Sequence, residues 1–312
     1  MGRIYQRIVG EVGKVFVGQD EVLKQITIAI FTDSHALVEG FPGLGKTLMV
    51  KTLSDVMELK FSRIQCTPDL MPSDITGTYI VDEDESRKKS FRFEKGPVFT
   101  NILLADEINR ATPKSQSALL ESMQERQVTV GPTTYKLERP FLVLATQNPI
   151  EMEGTYPLPE AQVDRFLFKI LIKYPSDEDE RRIIRLYTTK GLQEVSRVIS
   201  KQEVISIHEL TRKMPISNDC LDYAQKIVST TRPKDGGVAK KYLEYGASPR
   251  AGIGLVLAAK ALALVEGRNY VSEKDIEAMC YPILRHRLIL NFESERKGLT
   301  TDNVITELLK EV

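Results

Sequence analysis

The sequence predicts an α/β fold, a five-stranded parallel sheet covered by helices, followed by a small all-helical domain. Three observations predict it. Short β-branched runs alternate with helical stretches through the first half, the order in which a parallel sheet is threaded through its helices. A glycine-rich stretch, GFPGLGKT from Gly40 to Thr47, lies between the first of these runs and a helix. Beyond about residue 175 the strand-like runs stop and helix-capping residues take over.

The five runs are His35 to Glu39, Phe61 to Cys66, Asn101 to Ala105, Phe141 to Thr146 and Phe166 to Ile172. Each gives way to turn chemistry or polar residues at its carboxyl end, where ligands of open α/β sheets gather. Pro175 stops the last run, Ser176 is placed to cap a helix, and Asp177 to Glu180 put carboxylates into its first turn, where the helix dipole favours them. Ser248 before Pro249 and Ser272 with Asp275 mark two further helix starts. The division is therefore residues 1–175 for the α/β part and 176–312 for the helical part. Two segments interrupt the α/β part: residues 77–95 read as strand, charged turn, strand, and residues 127–138 as a hairpin around Gly131-Pro132. There is no internal repeat or low-complexity tract.

Composition narrows the function classes. The 312 residues are 42% hydrophobic and 28% charged, enough for a real core split over two domains. Lys+Arg and Asp+Glu both number 43, which disfavours a generally basic nucleic-acid coat or a polyacidic chain. Cys66, Cys220 and Cys280 are far apart and without a CxxC, and His35, His208 and His286 are the only histidines. A zinc site and a disulfide framework are both disfavoured, which points to a reducing compartment. The histidines read as core or surface filler rather than catalytic bases. The amino-terminal stretch alternates apolar with charged residues and builds no export signal. The longest apolar run, Ala251 to Val265, is broken by Lys260 and falls short of the roughly 20 residues that cross a bilayer. The expectation is a cytoplasmic protein without membrane insertion, with this run as a buried helix.

GFPGLGKT fits GxxxxGK[ST] and has the context the motif needs, a strand before it and a helix after it. Its glycines at 40, 43 and 45 let the backbone curl so that N–H groups surround phosphate oxygens, and the helix start offers its positive end. Lys46 then neutralises the terminal phosphates and Thr47 offers a hydroxyl to Mg²⁺. The candidate nucleotide contacts are Gly40, Pro42, Gly43, Leu44, Gly45, Lys46, Thr47 and Leu48. Some sixty residues later NILLADE brings Asp106 and Glu107 out at the carboxyl edge of the sheet. Taken alone, they could be a solvated helix start. Beside the phosphate loop, Asp106 would hold the Mg²⁺ shell and Glu107 would orient and partly deprotonate the water attacking the γ phosphate. The run FLVLAT leads into Gln147 and Asn148. An Asn there can be a turn former, or its carboxamide can bind the γ phosphate or position the water.

Six stretches in order, VFVGQDEVL (Val15 to Leu23), GFPGLGKT, LLADEINRATPKSQSALLESMQE (Leu103 to Glu125), LATQNP (Leu144 to Pro149), PLPEAQVDRF (Pro157 to Phe166) and GASPRA (Gly246 to Ala251), resemble the AAA+ ATPases over nearly the whole chain. Within them they are similar to the MoxR-like group, a helix-2-insert branch related to the ATPase subunit of magnesium chelatase. The resemblance implies an ATP hydrolase with an α/β nucleotide domain and a helical lid, working as a homo-oligomeric ring, a hexamer, with ATP and Mg²⁺ between subunits. It places Lys46 and Thr47 as the Walker A pair, Asp106 and Glu107 as the Walker B pair and Asn148 as the first sensor. Arg165 matches the arginine finger that reaches a neighbour's ATP, and Arg250 the second sensor on the lid. A guanidinium arriving from the next subunit couples hydrolysis to assembly. Without the resemblance, an ion pair with Asp164 is the simpler role for Arg165. Val17 and Gly18 are similar to the segment that contacts adenine. Residues 77–95 resemble the helix-2 insert and residues 127–138 the hairpin before the first sensor.

Three uses of the ATP energy follow from the resemblance. The first is chaperone-like remodelling of a protein client carrying a von Willebrand factor A domain; this chain has no DxSxS signature, so the client is another polypeptide. The second is a nucleic-acid motor, for which the hairpin flanks offer Arg126, Lys136 and Arg139, against the zero net charge and the lack of a helix-turn-helix or zinc module. The third is a metal-insertion motor like that of magnesium chelatase. Neither interruption presents an aromatic threading loop, although Tyr79, Phe91 and Tyr135 lie nearby.

Overall fold

A computed structural model describes residues 1–83, 89–148, 154–191, 193–234 and 236–312. In chain order the strands are β1 (Ala36–Gly40), β2 (Phe61–Gln65), β3 (Gly77–Glu83), β4 (Lys89–Lys95), β5 (Ile102–Asp106), β6 (Gln127–Val130), β7 (Thr133–Lys136), β8 (Leu142–Gln147), β9 (Phe168–Ile172), β10 (Leu243–Tyr245) and β11 (Ile289–Leu290). Five of them form the sheet, in the order β2-β5-β8-β1-β9, and every pairing within it is parallel. Parallel strands covered on both faces carry near-continuous apolar runs, and β5, ILLAD, is buried at every position.

Successive side chains of a strand go to opposite faces, and the core divides accordingly. Val38, Leu104, Leu144 and Phe168 fall in one cluster together with Ile26 and Leu53 of the covering helices and Leu255 and Leu262 of the helical half. Leu37, Leu103, Val143 and Ile64 fall in the other, against Leu119, Leu120 and Phe141. The helical half thus extends the core of one sheet face.

The sheet order fixes where the site lies. β1 is flanked by β8 and β9, and β5 by β2 and β8, so the carboxyl ends of β1, β5 and β8 open on one edge, where the strand order reverses. The two interruptions are antiparallel hairpins, β3–β4 with Tyr79 opposite Phe93, and β6–β7 with Val128 opposite Tyr135. They touch: the Tyr79 and Tyr135 hydroxyls are 3.0 Å apart, and the Phe93 and Tyr135 rings stack at 4.3 Å. The charged turn expected between β3 and β4, and Pro149 of the LATQNP stretch, lie outside the described residues.

Two of the basic flanks of the second hairpin are tied to a buried acid. Arg126 and Arg139 both pair with the buried carboxylate of Asp33, Arg139 at 2.6 Å. A buried acid needs counter-charges, and it takes two of the three cations that a nucleic-acid reading would use. The histidines are likewise structural: His35 bonds to Met123 O, His208 to Ile30 O and His286 to Phe166 O.

After β9 the helix Asp177–Arg185 begins as its sequence dictates, with Ser176 Oγ accepting from Asp179 N–H at 3.2 Å and four acids in the first turn. The run from Ala251 lies in the helix Pro249–Val265, with Leu255, Ala258, Ala259 and Leu262 buried. One departure from the helical expectation is the antiparallel pair β10–β11. Strands of three and two residues satisfy a few backbone groups locally and carry no readable alternation in sequence.

Candidate functional site

The loop after β1 owes its shape to two glycines. Gly43 (φ 82°) and Gly45 (φ 73°) are in the left-handed region, which L side chains resist, and Gly45 caps the helix Lys46–Val56. The unpaired N–H groups of that helix start therefore face the open edge of the sheet. Lys46 Nζ donates to Gly40 O at 2.7 Å, folding the side chain back over its own loop. Burial holds the ammonium below the usual lysine range, against the opposing pull of the Asp106 and Glu107 carboxylates.

Asp106 ends β5 with its side chain enclosed. Its Oδ1 accepts from Thr146 Oγ1 at 3.1 Å and its Oδ2 from Arg63 Nε at 2.6 Å. Glu107 has a left-handed backbone (φ 57°), an uncommon state for a residue with a side chain. Its N–H donates to Thr146 Oγ1 at 2.9 Å, and its Oε2 accepts from Gln65 Nε2 and Arg110 Nη1, both at 3.1 Å. Thr146 on β8 thus fixes both acids. Asn148, immediately beyond β8, is buried beside them.

These groups meet in a polar cavity of ≈ 400 Å³ lined by Pro42 to Leu48, Arg63, Gln65, Asp106, Glu107, Thr146 and Asn148. A second cavity of ≈ 280 Å³ shares Gly43, Leu44, Gly45 and Leu48 as a wall and is closed by Val15, Phe16, Val17, Gln19, Pro175, Ile183 and Tyr187. One compartment presents N–H donors, an ammonium, a hydroxyl and two carboxylates, and the other is largely apolar. The pair suits a ligand with a polyanionic end and a flat, weakly polar end.

The sequence-predicted residues separate into two sets. Pro42 to Thr47, Leu48, Asp106, Glu107, Asn148 and Val17 line the two cavities; Gly18 and Gly40 line neither, although Gly40 supplies the carbonyl that holds Lys46. Arg165 and Arg250 lie outside both cavities. Arg250 Nη1 donates to Asp164 Oδ2 at 3.2 Å, and Asp164 Oδ1 accepts from Arg287 Nε at 2.7 Å. Asp164 thus pairs with arginines of the helical half and not with its neighbour Arg165, whose guanidinium makes no ion pair among the described residues.

Sequence reasoning missed Arg63, Gln65 and Thr146, since their role depends on which strands flank β5. It also missed the far wall of the apolar cavity, Ile183 and Tyr187, which stand at i, i+4 within the run IIRLY. Tyr187 Oη donates to Val15 O at 2.9 Å and so ties that wall to the amino-terminal segment.

Comparison with known proteins agrees with this geometry. Residues 35–168 match the family described as ATPase family associated with various cellular activities (AAA), and residues 237–308 match the AAA lid domain. The chain is 44% identical to the chaperone MoxR1 of Mycobacterium tuberculosis over 98% of its own length and 81% of that protein. It is 31% identical to the protein MoxR of Methylorubrum extorquens, over 94% and 90% of the two chains. A solved structure of a candidate ATPase from Cytophaga hutchinsonii superposes with a TM-score of 0.92 at 47% identity, over 99% of this chain and 94% of that one. With its sheet, its lid, its glycine-rich loop and relatives of this kind over almost its full length, the chain belongs to the MoxR-like AAA+ ATPases.

Proposed function

We propose that this chain hydrolyses ATP with Mg²⁺ at the interfaces of a homo-oligomeric ring, a hexamer, and uses the cycle for chaperone-like remodelling of a protein client in the cytoplasm. The observation that carries the reading is the meeting of Lys46, Thr47, Asp106, Glu107 and Asn148 in one polar cavity, walled from an apolar one by the glycine-rich loop. Triphosphate fits the first compartment and adenine the second.

In this reading Lys46 leaves Gly40 O for the β and γ phosphates, to which the helix-start N–H groups also donate. Glu107 accepts a proton from the attacking water and Asn148 positions that water or the γ phosphate. A divalent cation carried by phosphate needs only one or two protein oxygens, and Thr47 Oγ1 and Asp106 Oδ are on hand in the same cavity. When bound, the ion supplies charge neutralisation at the phosphates. Arg165, outside its own chain's cavity, is assigned to the neighbour's ATP, and Arg250 to the second sensor. We assign residues 1–175 to the ATPase core, with residues 77–95 as its helix-2 insert and 127–138 as the hairpin before the first sensor, and 176–312 to the lid.

The client we propose carries a von Willebrand factor A domain, as the family resemblance implies, and the chaperone name of the M. tuberculosis relative supports a protein client. Pairing of Arg126 and Arg139 with the buried Asp33 weighs against a nucleic-acid motor. The test is Glu107→Gln, which should bind ATP and turn it over slowly, used as bait in source-cell lysate with ATP and Mg²⁺. Retention of a von Willebrand factor A protein only with ATP supports the proposal; nuclease-sensitive retention of replication proteins overturns it.

A further inference from the structure

The edge strand β2 reaches the two carboxylates of the polar cavity through side chains on one of its faces. Arg63 and Gln65 are two residues apart and therefore on the same side of the strand, and in the register with β5 Gln65 stands opposite Asp106. Arg63 Nε donates to Asp106 Oδ2 at 2.6 Å, Arg63 Nη2 to Gln65 Oε1 at 2.9 Å, and Gln65 Nε2 to Glu107 Oε2 at 3.1 Å. Among the described residues Arg63 is the one cation paired with Asp106. The partners differ in freedom: the Asp106 side chain is 9% exposed and that of Arg63 48%. An enclosed carboxylate fixed from its other oxygen by Thr146 faces a guanidinium on a long, half-solvated stem.

We propose that Arg63 is a stand-in cation. Its guanidinium holds the oxygen of Asp106 that a divalent cation arriving with nucleotide would take, and it swings away when that cation binds. The inference rests on the nucleotide reading of the cavity given above. The carboxylate cannot be left bare at low exposure without cost, so a counter-charge is kept beside it between turnovers. A guanidinium and a divalent cation at one oxygen repel each other, so both cannot stay. The Arg63 end is half exposed, so its guanidinium regains water on leaving while the arriving cation takes over as the counter-charge. Departure of Arg63 also removes its bond to Gln65, which contacts Glu107, so arrival of the cation at one acid is passed to the other.

The consequence is a metal threshold set by Arg63. Binding of a fluorescent N-methylanthraniloyl-ADP to the full chain would be followed as Mg²⁺ is raised from an EDTA-treated start, with Mn²⁺ in place of Mg²⁺ and free Mn²⁺ counted by electron paramagnetic resonance as a second readout. Arg63→Gln and Arg63→Met remove the charge, and Arg63→Lys keeps it. The cation concentration at half-saturation should fall at least about threefold in the first two, as one like charge leaves the ion's neighbourhood, and stay near the wild-type value in the third. Two charge-removing variants guard against one failing to fold, which far-ultraviolet circular dichroism would reveal. A midpoint that is unchanged or higher in the charge-free variants overturns the stand-in role, even if their melting temperature drops, because a purely structural Arg63 would move melting alone. Failure of the wild-type chain to bind the nucleotide at any cation concentration would instead overturn the nucleotide reading.

Discussion

Asp164 accepts from Arg287 Nε at 2.7 Å, and the Arg287 side chain is 2% exposed. That guanidinium also donates to the carbonyls of Phe166 at 2.8 Å and Leu167 at 3.1 Å, at the approach to β9. Burial pulls the Arg287 pKa down, and the Asp164 carboxylate opposes it. Asp164 is thus one tie between the helical half and the sheet, and Arg250 shares it.

Arg287→Ala therefore removes more than a contact. It leaves several carbonyls at the junction without that donor and leaves the part-exposed Asp164 with Arg250 alone, a loss of about 1–3 kcal/mol. Urea unfolding should show that loss as a lower midpoint. A loss within about 0.5 kcal/mol, the range of ordinary surface substitutions, would mean that the Asp164–Arg287 pair adds little to the other contacts of the junction.

Because Asp164 is taken by Arg250 and Arg287, Arg165 is left to act elsewhere. Arg165→Ala should lower ATP turnover of the assembled protein about 10³-fold or more, the scale of arginine fingers supplied in trans. Nucleotide affinity of the isolated subunit should remain nearly intact, as read by fluorescent-nucleotide titration. An unchanged turnover rate removes Arg165 from the chemistry.

Lys46 is the next case. Its side chain now rests on Gly40 O, a neutral acceptor, at 2.7 Å. Exchange of that acceptor for a phosphate oxygen sets the ammonium against a full negative charge in place of a carbonyl dipole. Lys46→Ala should leave the melting temperature of the free protein within about 2 °C, since only one part-buried hydrogen bond is lost. Nucleotide binding should disappear from the titration range, and retained tight affinity would refute the phosphate-loop assignment.

How much of this was legible in the sequence follows from the range of each interaction. The five sheet strands stand within one or two residues of their β-branched runs, and in β5 and β8 burial on both faces writes a continuous apolar signal. Gly43, Gly45 and Lys46 are contiguous, so their joint geometry is written in one stretch. Arg63 and Thr146 are different: each meets Asp106 only because β2 and β8 are the strands that flank β5, and lateral order in a sheet leaves no local trace. The same holds for Tyr187, which reaches Val15 across 172 positions of sequence. Arg287 escaped notice because a lone arginine near a helix end looks like any solvated cation until its acid is found.

The last prediction concerns pH. His35 sits fully buried at the start of β1, with Nδ1 accepting from Val143 N–H at 2.9 Å and Nε2 bonded to Met123 O at 3.0 Å. Nε2 must carry the proton, since a carbonyl only accepts, so the ring is the neutral tautomer. Protonating Nδ1 would set a donor against the Val143 donor and place a charge in the core. Burial is the largest cause and pushes the pKa down to about 4, with Arg126 adding to it and the Met123 carbonyl and Asp33 opposing. An unfolded histidine titrates near 6.5, so between about pH 6.5 and 4 the unfolded chain binds a proton that the folded one does not. Stability from this residue is therefore complete above pH 6.5 and is lost as pH falls toward 4, by on the order of 3 kcal/mol. His208 and His286, also depressed by burial, act in the same direction. Urea midpoints measured from pH 7.5 down to 4.5 should fall steadily in the wild type and less steeply in His35→Gln, which lacks the titrating group. Parallel slopes for the two proteins would show that His35 is protonated in the fold, and the Nδ1 bond to Val143 would have to be abandoned.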